Sequence, residues 1–407
     1  MPRGSTPHPT GNRRVRPAIG PIALPVTVAY GQGGFALASA LWQAYVTGVL
    51  DRGAPSVKDD DVGAHDADAS PFHRLVPFGL YDGQRRVVQY LRLSVTDRCS
   101  FRCVYCMPEA GLTFAPRAEV MSFEEMARLV RVFARLGVTR VRLTGGEPLL
   151  RRDLPDLVRQ IAAVDGIDDL ALSTNGLALA ELAGPLAEAG LRRVNVSLDS
   201  LDAHTFARLT RTRTETLDKV IAGIDAALAA GLAPVKINTV VIRGHNDHEL
   251  PAIVRWAAAR GVEPRFIEYM PIGVDDRWGP ASFVPVAEMR ERLAAFELLP
   301  EPTAAHGGGP ARYRRYAVDG RALDIGFITA VSEHFCDTCN RVRVTAKGVL
   351  QECLAFPGDL SLRDRMRAGE DDEALTGTIR QALFAKGPGH RFQVGQRTFQ
   401  SMSITGG

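Results

Sequence analysis

Residues 90–106, "YLRLSVTDRCSFRCVYC", place three cysteines directly after a short β-rich run: Cys99, Cys103 and Cys106, in the spacing C-x3-C-x2-C. Thiolates this close together in one loop hold zinc or an iron–sulfur cluster. A structural zinc wants four ligands, and neither a histidine nor a fourth cysteine lies nearby. A four-iron cluster on three cysteines keeps one iron open for an outside ligand.

The run 90–95 opens a series. "VTRVRLT" (138–144), "LALST" (170–174), "RRVNVSL" (192–198), "PVKINTVVI" (234–242) and "PRFIEYM" (264–270) follow it. Helical stretches at 122–137, 154–164, 179–190, 214–230 and 248–261 separate them. Six βα repeats predict an α/β fold with a parallel sheet under an outer layer of helices. Six units are too few to close an eight-stranded barrel, so the expected form is a curved, open (β/α)6 partial TIM barrel. Its chemistry belongs at the carboxyl ends of the strands, where the cysteine loop sits.

From about Pro271 the rhythm breaks. A Gly/Pro-containing segment, a helix over "VAEMRERLAAF" (286–296) and the loop "AAHGGGPARYRRY" (304–316) lead to "FCDTCNRVRVTAKGVLQECL". This stretch carries Cys336, Cys339 and Cys353. By spacing alone it suits a zinc knuckle or a second cluster with an open iron. His334 stands two residues from Cys336, poorly placed to share its metal. The division expected is an extension over 1–76, the barrel over 77–270, and a C-terminal region over 271–407.

The extension reads as disordered. It passes from Pro, Gly, Ser and Arg through the mildly apolar "GGFALASALWQAYVTGVL" to the acidic "KDDDVGAHDADASP". Arg13, Arg14 and Arg16 ahead of the apolar patch offer a targeting segment as the rival reading, and a mistaken translation start is a third. Across all 407 residues, 45% are hydrophobic and 23% charged, as in soluble globular proteins. A formal net charge of +3 gives no reason to expect nucleic acid or a membrane surface, so any anion site must be local. No run of 18 apolar residues occurs. Six cysteines in two triplets point to metal ligation in a reducing compartment, hence the cytoplasm.

The C-x3-C-x2-C loop, with Tyr105 between its last two cysteines, resembles the radical S-adenosylmethionine (SAM) superfamily. "LTGGEP" (143–148), one βα unit later, strengthens the likeness; alone it would be an ordinary tight turn. The resemblance implies that the open iron chelates SAM and that one electron cleaves it to a 5′-deoxyadenosyl radical. It also implies SAM contacts at Tyr105, Gly146, Ser197 and Met270, with the Gly146 turn offering backbone groups to the methionine moiety.

"LRLSVTDRCSFRCVYCMP", "RLTGGEPLLRRDL", "STNG", "LRRVNVSLDSLD", "KIN", "RFIEYMPIG", the second triplet and the terminal Gly406-Gly407 occur together and in order. Over about Leu80 to Gly407 this resembles the GTP 3′,8-cyclase family, which starts molybdenum cofactor biosynthesis. The resemblance implies two [4Fe–4S] clusters, on Cys99/Cys103/Cys106 and Cys336/Cys339/Cys353, and a second cluster that binds guanine. The radical removes the ribose 3′ hydrogen, the carbon radical attacks C8, and reduction gives 3′,8-cyclo-7,8-dihydro-GTP. GTP contacts are implied at Arg92, Arg142, Ser173, Lys236 and the stretch Arg341, Val342, Arg343. Catalytic roles are implied for Arg341, Arg343, Gly406 and Gly407. Cations inside strands are costly unless they line a polar interior, which a triphosphate would explain. The family also implies an electron donor, a downstream cyclic pyranopterin monophosphate synthase and a homodimer.

Two other classes compete. A peptide-modifying radical SAM enzyme has no reason to keep the Arg-x-Arg or the Gly-Gly end. An iron–sulfur electron carrier or zinc-stabilised scaffold leaves the open ligand position and the strand cations unexplained.

Overall fold

Charged residues alternate with aliphatic ones in the strands, and the alternation decides which way each side chain points. Tyr90 and Arg92 of the first strand line a cavity, while Leu91 and Leu93 between them enter the hydrophobic core. The computed structural model describes residues 79–273, 279–301, 308–392, 397–398 and 402–405. The extension over 1–76 and the terminal Gly406 and Gly407 lie outside the described residues.

The first half runs β1 (Tyr90–Ser94), α1 (Phe123–Arg135), β2 (Arg140–Thr144), α2 (Leu154–Ala162), β3 (Asp169–Thr174) and α3 (Leu179–Glu188). It continues through β4 (Arg193–Ser197), α4 (Ala203–Thr210), α5 (Thr216–Ala229), β5 (Lys236–Val241), α6 (Leu250–Arg260) and β6 (Glu263–Glu268). β1 to β6 pair in sequence order, each parallel to the next. These are the six units expected.

α1 shows why the helices lie where they do. Ser122 and Glu125 form a reciprocal capping box, worth about 1 kcal/mol. Met126, Leu129, Val130 and Phe133 then fall on one face and are fully buried, each contributing about 2 kcal/mol.

The C-terminal part adds α7 (Val286–Glu291), β7 (Glu297–Leu298), β8 (Arg312–Val318), β9 (Arg321–Ile328), β10 (Arg341–Val344), β11 (Val349–Gln351) and β12 (Leu360–Ser361). It ends with α8 (Leu362–Arg367), α9 (Asp372–Phe384) and α10 (Met402–Thr405). α7 stops short of the expected Phe296, at Glu291. Its strands join the same sheet: β9 lies parallel to β6, and β10 lies parallel to β1. The full order is β12-β11-β10-β1-β2-β3-β4-β5-β6-β9-β8-β7. Chain 329–340, carrying Cys336 and Cys339, therefore crosses from one edge of the parallel run to the other. Side chains from all six barrel strands and from β8, β9 and β10 line one cavity, which a flat sheet cannot arrange.

Arg243, after β5, ties α7 to the barrel by two hydrogen bonds to Glu288, at 2.6 and 2.5 Å. The Arg243 guanidinium, ahead of the other contacts, holds the Glu288 carboxyl down at about 2. The folded value lies below the ordinary ~4.3, so this contribution is complete above that pH and is lost as the pH falls toward 2. Glu288→Gln is accordingly expected to lower Tm at pH 7, with the gap from the parent narrowing below about pH 4.

Candidate active site

Two adjoining cavities lie inside the curve of the sheet: the smaller at the carboxyl ends of the strands, as expected, the larger reaching down to their first residues, among them Tyr90, Asp169, Arg193, Lys236 and Glu263. The smaller, about 160 Å³, is lined by Cys99, Cys103 and Cys106 together with Tyr105, Gly146, Ser197 and Met270. All seven were singled out in the sequence.

Its floor is built by loops packing on loops. Helix α4, absent from the sequence reading, ends with carbonyls that have no partner in their own helix. The cysteine loop supplies donors: Arg102 N–H to Thr210 O at 3.1 Å and Val104 N–H to Leu209 O at 2.9 Å. Phe101 packs edge-on against Phe206 of α4, with ring centroids 6.1 Å apart. From the other side comes the turn after β2, where Gly146 N–H donates to Thr96 O at 2.8 Å and Glu147 N–H to Arg98 O at 2.7 Å. A Cβ on Gly146 would stand 2.1 Å from the Arg98 carbonyl oxygen. The glycine is thus required first by this close approach, and its N–H is held by Thr96. Gly146→Ala is expected to push the cysteine loop off the turn, at about 1–3 kcal/mol. Iron at the first site, measured after reconstitution, should fall with it while Tm drops by only a few degrees.

Two carboxylates are buried against this loop. Glu147 accepts from Thr174 Oγ1 at 2.7 Å, Asn175 N at 2.6 Å and Leu149 N at 3.0 Å. Burial nevertheless raises it to about 7. Asp199 accepts from Tyr105 OH at 2.7 Å and Val240 N at 2.9 Å, and burial raises it to about 6. Burial likewise pushes the Cys99 thiol up to about 11 and the Cys103 thiol well above its usual value.

The larger cavity, about 500 Å³, adjoins the smaller: Asn238, Ile267 and Met270 line both. Arg92, Arg142, Lys236, Arg341, Arg343, Cys336, Cys339 and Cys353 line it, as the sequence led one to expect. Strand register explains the charge. Arg343, Arg92 and Arg142 are direct neighbours on β10, β1 and β2, so three guanidiniums stand in a row across the wall. Arg142 reaches the Tyr90 hydroxyl and Ser173 Oγ rather than a carboxylate. Burial, then Arg341, lowers Arg343 to about 10; burial, then Arg343, lowers Arg92 well below its usual value. The row concentrates positive charge along one wall of the cavity. Opposite it, Lys236 pairs with Glu263 and Arg193 with Asp169.

Of the residues expected to contact GTP, Ser173 and Val342 do not line the larger cavity. Ser173 lines the smaller cavity and touches the larger only through Arg142. The Val342 side chain points into the hydrophobic core, leaving only its backbone for the wall. Conversely, Arg265 went unnoticed in "PRFIEYM", although a cation inside a strand is the signal that found Arg92. Its Nε donates to Asn238 Oδ1 at 2.9 Å, and burial lowers it to about 10. His390 had no signal: its ring stacks on Phe392 at 4.1 Å, and burial, then His334, lowers it to about 4. His390 Nδ1 and Asn195 Oδ1 are buried in this wall without a hydrogen-bond partner among the described residues.

Around the second triplet, burial alone would raise Cys339, but the Arg341 guanidinium and Lys386 ammonium outweigh it and bring the thiol to about 6. Gly389 is required there, since a Cβ would fall 2.6 Å from Cys336 Sγ. Among the described residues no three His, Cys, Asp or Glu side chains close around one ion position. Each thiol triplet instead shares a cavity wall, which suits a multi-iron cluster taking one thiolate per iron better than a single zinc.

The model of the Radical SAM superfamily matches residues 93–257, and that of Molybdenum Cofactor Synthesis C matches 262–392. A GTP 3′,8-cyclase of Pelotomaculum thermopropionicum is 45% identical over 330 residues, covering 81% of this chain and all of the relative. The chain belongs to the GTP 3′,8-cyclase family. Relatives of the same name from Rhodopseudomonas palustris (strain TIE-1) and Pseudomonas putida (strain W619) are each 46% identical. They cover 81% of this chain and 95% and 98% of their own lengths. Streptococcus suis SuiB bound to S-adenosylmethionine shares the fold at 17% identity and a TM-score of 0.50, over 73% of this chain and 69% of its own. Like other GTP 3′,8-cyclases, the chain is a radical SAM enzyme whose cofactors are SAM and two [4Fe–4S] clusters.

Proposed function

We propose that this chain converts GTP to 3′,8-cyclo-7,8-dihydro-GTP. Cys99, Cys103 and Cys106 would hold the cluster that engages SAM, and Cys336, Cys339 and Cys353 the cluster beside the guanine. When bound, the first cluster and SAM supply a 5′-deoxyadenosyl radical able to take the ribose 3′ hydrogen.

The observation that carries this reading is the junction between the cavities. A nucleotide in the larger and a methionine derivative in the smaller would meet at Asn238, Ile267 and Met270. Arg92, Arg142 and Arg343 bind the triphosphate, each by charge-assisted hydrogen bonds. Lys236, held by Glu263 and Tyr313, orients it from the opposite strand. Arg341, stacked over Phe335 at 4.8 Å, sits between substrate and second triplet. Tyr105, fixed by Asp199, and Ser197 with Gly146 shape the methionine pocket. Ser173 positions Arg142 from the pocket side.

Met402 lines the smaller cavity, and Ser94 Oγ donates to Ile404 O at 3.2 Å. The residues before Gly406 and Gly407 therefore dock beside the site, in keeping with a catalytic role for that tail. A division into barrel and C-terminal region at about residue 270 fits the two matched models. By family likeness, the enzyme takes electrons from an electron donor, passes its product to a cyclic pyranopterin monophosphate synthase, forms a homodimer and works in the cytoplasm without nucleic acid or membrane. No helix among the described residues is long and apolar enough to cross a membrane.

Anaerobic turnover with SAM, GTP and dithionite tests the assignment. The expected result is 5′-deoxyadenosine and a cyclised dihydro-GTP in matched amounts by mass spectrometry. Formation of 5′-deoxyadenosine with GTP untouched overturns the substrate.

A further inference from the structure

A buried group of charges lies under the second triplet, and no role assigned so far uses it. Lys386, after α9, is 5% exposed. Its ammonium donates to Arg341 O at 2.8 Å and to Cys339 Sγ at 3.6 Å. Asp82, buried 3.7 Å away, also accepts from Arg86 Nε at 2.7 Å. Arg86 in turn donates to the carbonyls of Cys336 at 2.7 Å, Pro388 at 2.8 Å and Gly387 at 2.8 Å. Chain from before β1, from the β9–β10 crossing and from after α9 thus meets under one thiol.

The contacts separate a structural salt bridge from something more. Lys386 and Arg86 share the Asp82 carboxylate, and Glu352 is the other carboxylate that feels the ammonium, yet it is the sulfur and the Arg341 carbonyl that the ammonium touches directly. Burying a charge is costly unless an opposite charge answers it, and the thiolate is that answer. Arg341 adds a second cationic donor to the same sulfur at 3.5 Å. Cys353 accepts a backbone amide from Ala355 at 3.5 Å. The first triplet has the opposite surroundings: Cys99 and Cys103 feel the buried carboxylates of Glu147 and Asp199.

We propose that Lys386, tethered by Asp82, is a positioning residue for the second cluster, whose N–H···S hydrogen bond to Cys339 raises that cluster's reduction potential. Hydrogen bonds to cluster sulfurs and nearby net charge are the protein's means of setting such potentials. A one-electron reduction adds negative charge, which the buried cation favours. This rests on the reading that Cys336, Cys339 and Cys353 hold a cluster.

The test uses the chain with Cys99, Cys103 and Cys106 all changed to alanine, reconstituted anaerobically so that only the second site carries iron. Its midpoint potential is read by electron paramagnetic resonance during a mediated titration. Lys386→Met and Lys386→Gln should each shift the midpoint downward, and Lys386→Arg should hold it near the parent. Unshifted midpoints in iron-loaded neutral variants overturn the proposal. If the neutral variants lose the iron while Lys386→Arg keeps it, the cation serves to hold the cluster rather than to set its potential, and the proposal falls. If Lys386→Arg loses it as well, the lysine's shape rather than its charge matters and the proposal falls. Absence of iron in the parent triple variant would instead remove the second-cluster reading itself.

Discussion

Cys103→Ala, reconstituted with iron and sulfide, is expected to keep its second-site iron and to release no detectable 5′-deoxyadenosine from SAM. Cys103 sits in the middle of the loop that α4 and the Gly145–Gly146 turn hold from both sides. It lines the smaller cavity with its two partners. Losing an outer-shell partner of a metal ligand already costs about 10–100-fold in affinity or activity, so losing one of three direct ligands should cost more. Iron analysis and chromatography of the nucleoside check this together. Parental 5′-deoxyadenosine from the variant would mean that the loop does not hold the reactive cluster.

Arg343→Ala is expected to raise KM for GTP by about 10–150-fold, the equivalent of one charged hydrogen-bond partner at about 1.5–3 kcal/mol. Arg343 is the outer member of the row that continues through Arg92 and Arg142. Removing it leaves the other two in place, so binding weakens without vanishing. Slow 5′-deoxyadenosine formation without GTP should be unaffected, because the SAM cavity lies on the far side of the junction. Arg343→Lys should recover only part of the loss, since an ammonium cannot form the two-pronged contact of a guanidinium. Steady-state kinetics against GTP decide; an unchanged KM would place the triphosphate elsewhere.

The barrel was legible because its pattern is local. "YLRLS", "RVRLT" and "RVNVS" each show their alternation within five residues, and spacing alone orders them. β9 and β10 were not legible, since their partners, β6 and β1, lie at opposite edges of the parallel run and only the folded chain shows them adjacent. "RVRV" at 341–344 is too short to announce a strand, although its arginines were noticed. The cysteines and the strand cations drew attention because such residues are expensive to bury without a purpose. Arg265 carried the same signal unnoticed. Lys386 carried none, because its importance comes from Asp82, Arg86 and Cys339, all far from it in sequence.

On the proposed function, the ribose 3′ hydrogen of GTP is taken at the junction of the two cavities. Turnover of GTP deuterated at C3′, with mass spectrometry of the 5′-deoxyadenosine, measures this directly. One deuterium is expected in each molecule of 5′-deoxyadenosine formed, with a cyclised product that has lost it. Unlabelled 5′-deoxyadenosine alongside a cyclised product would contradict it.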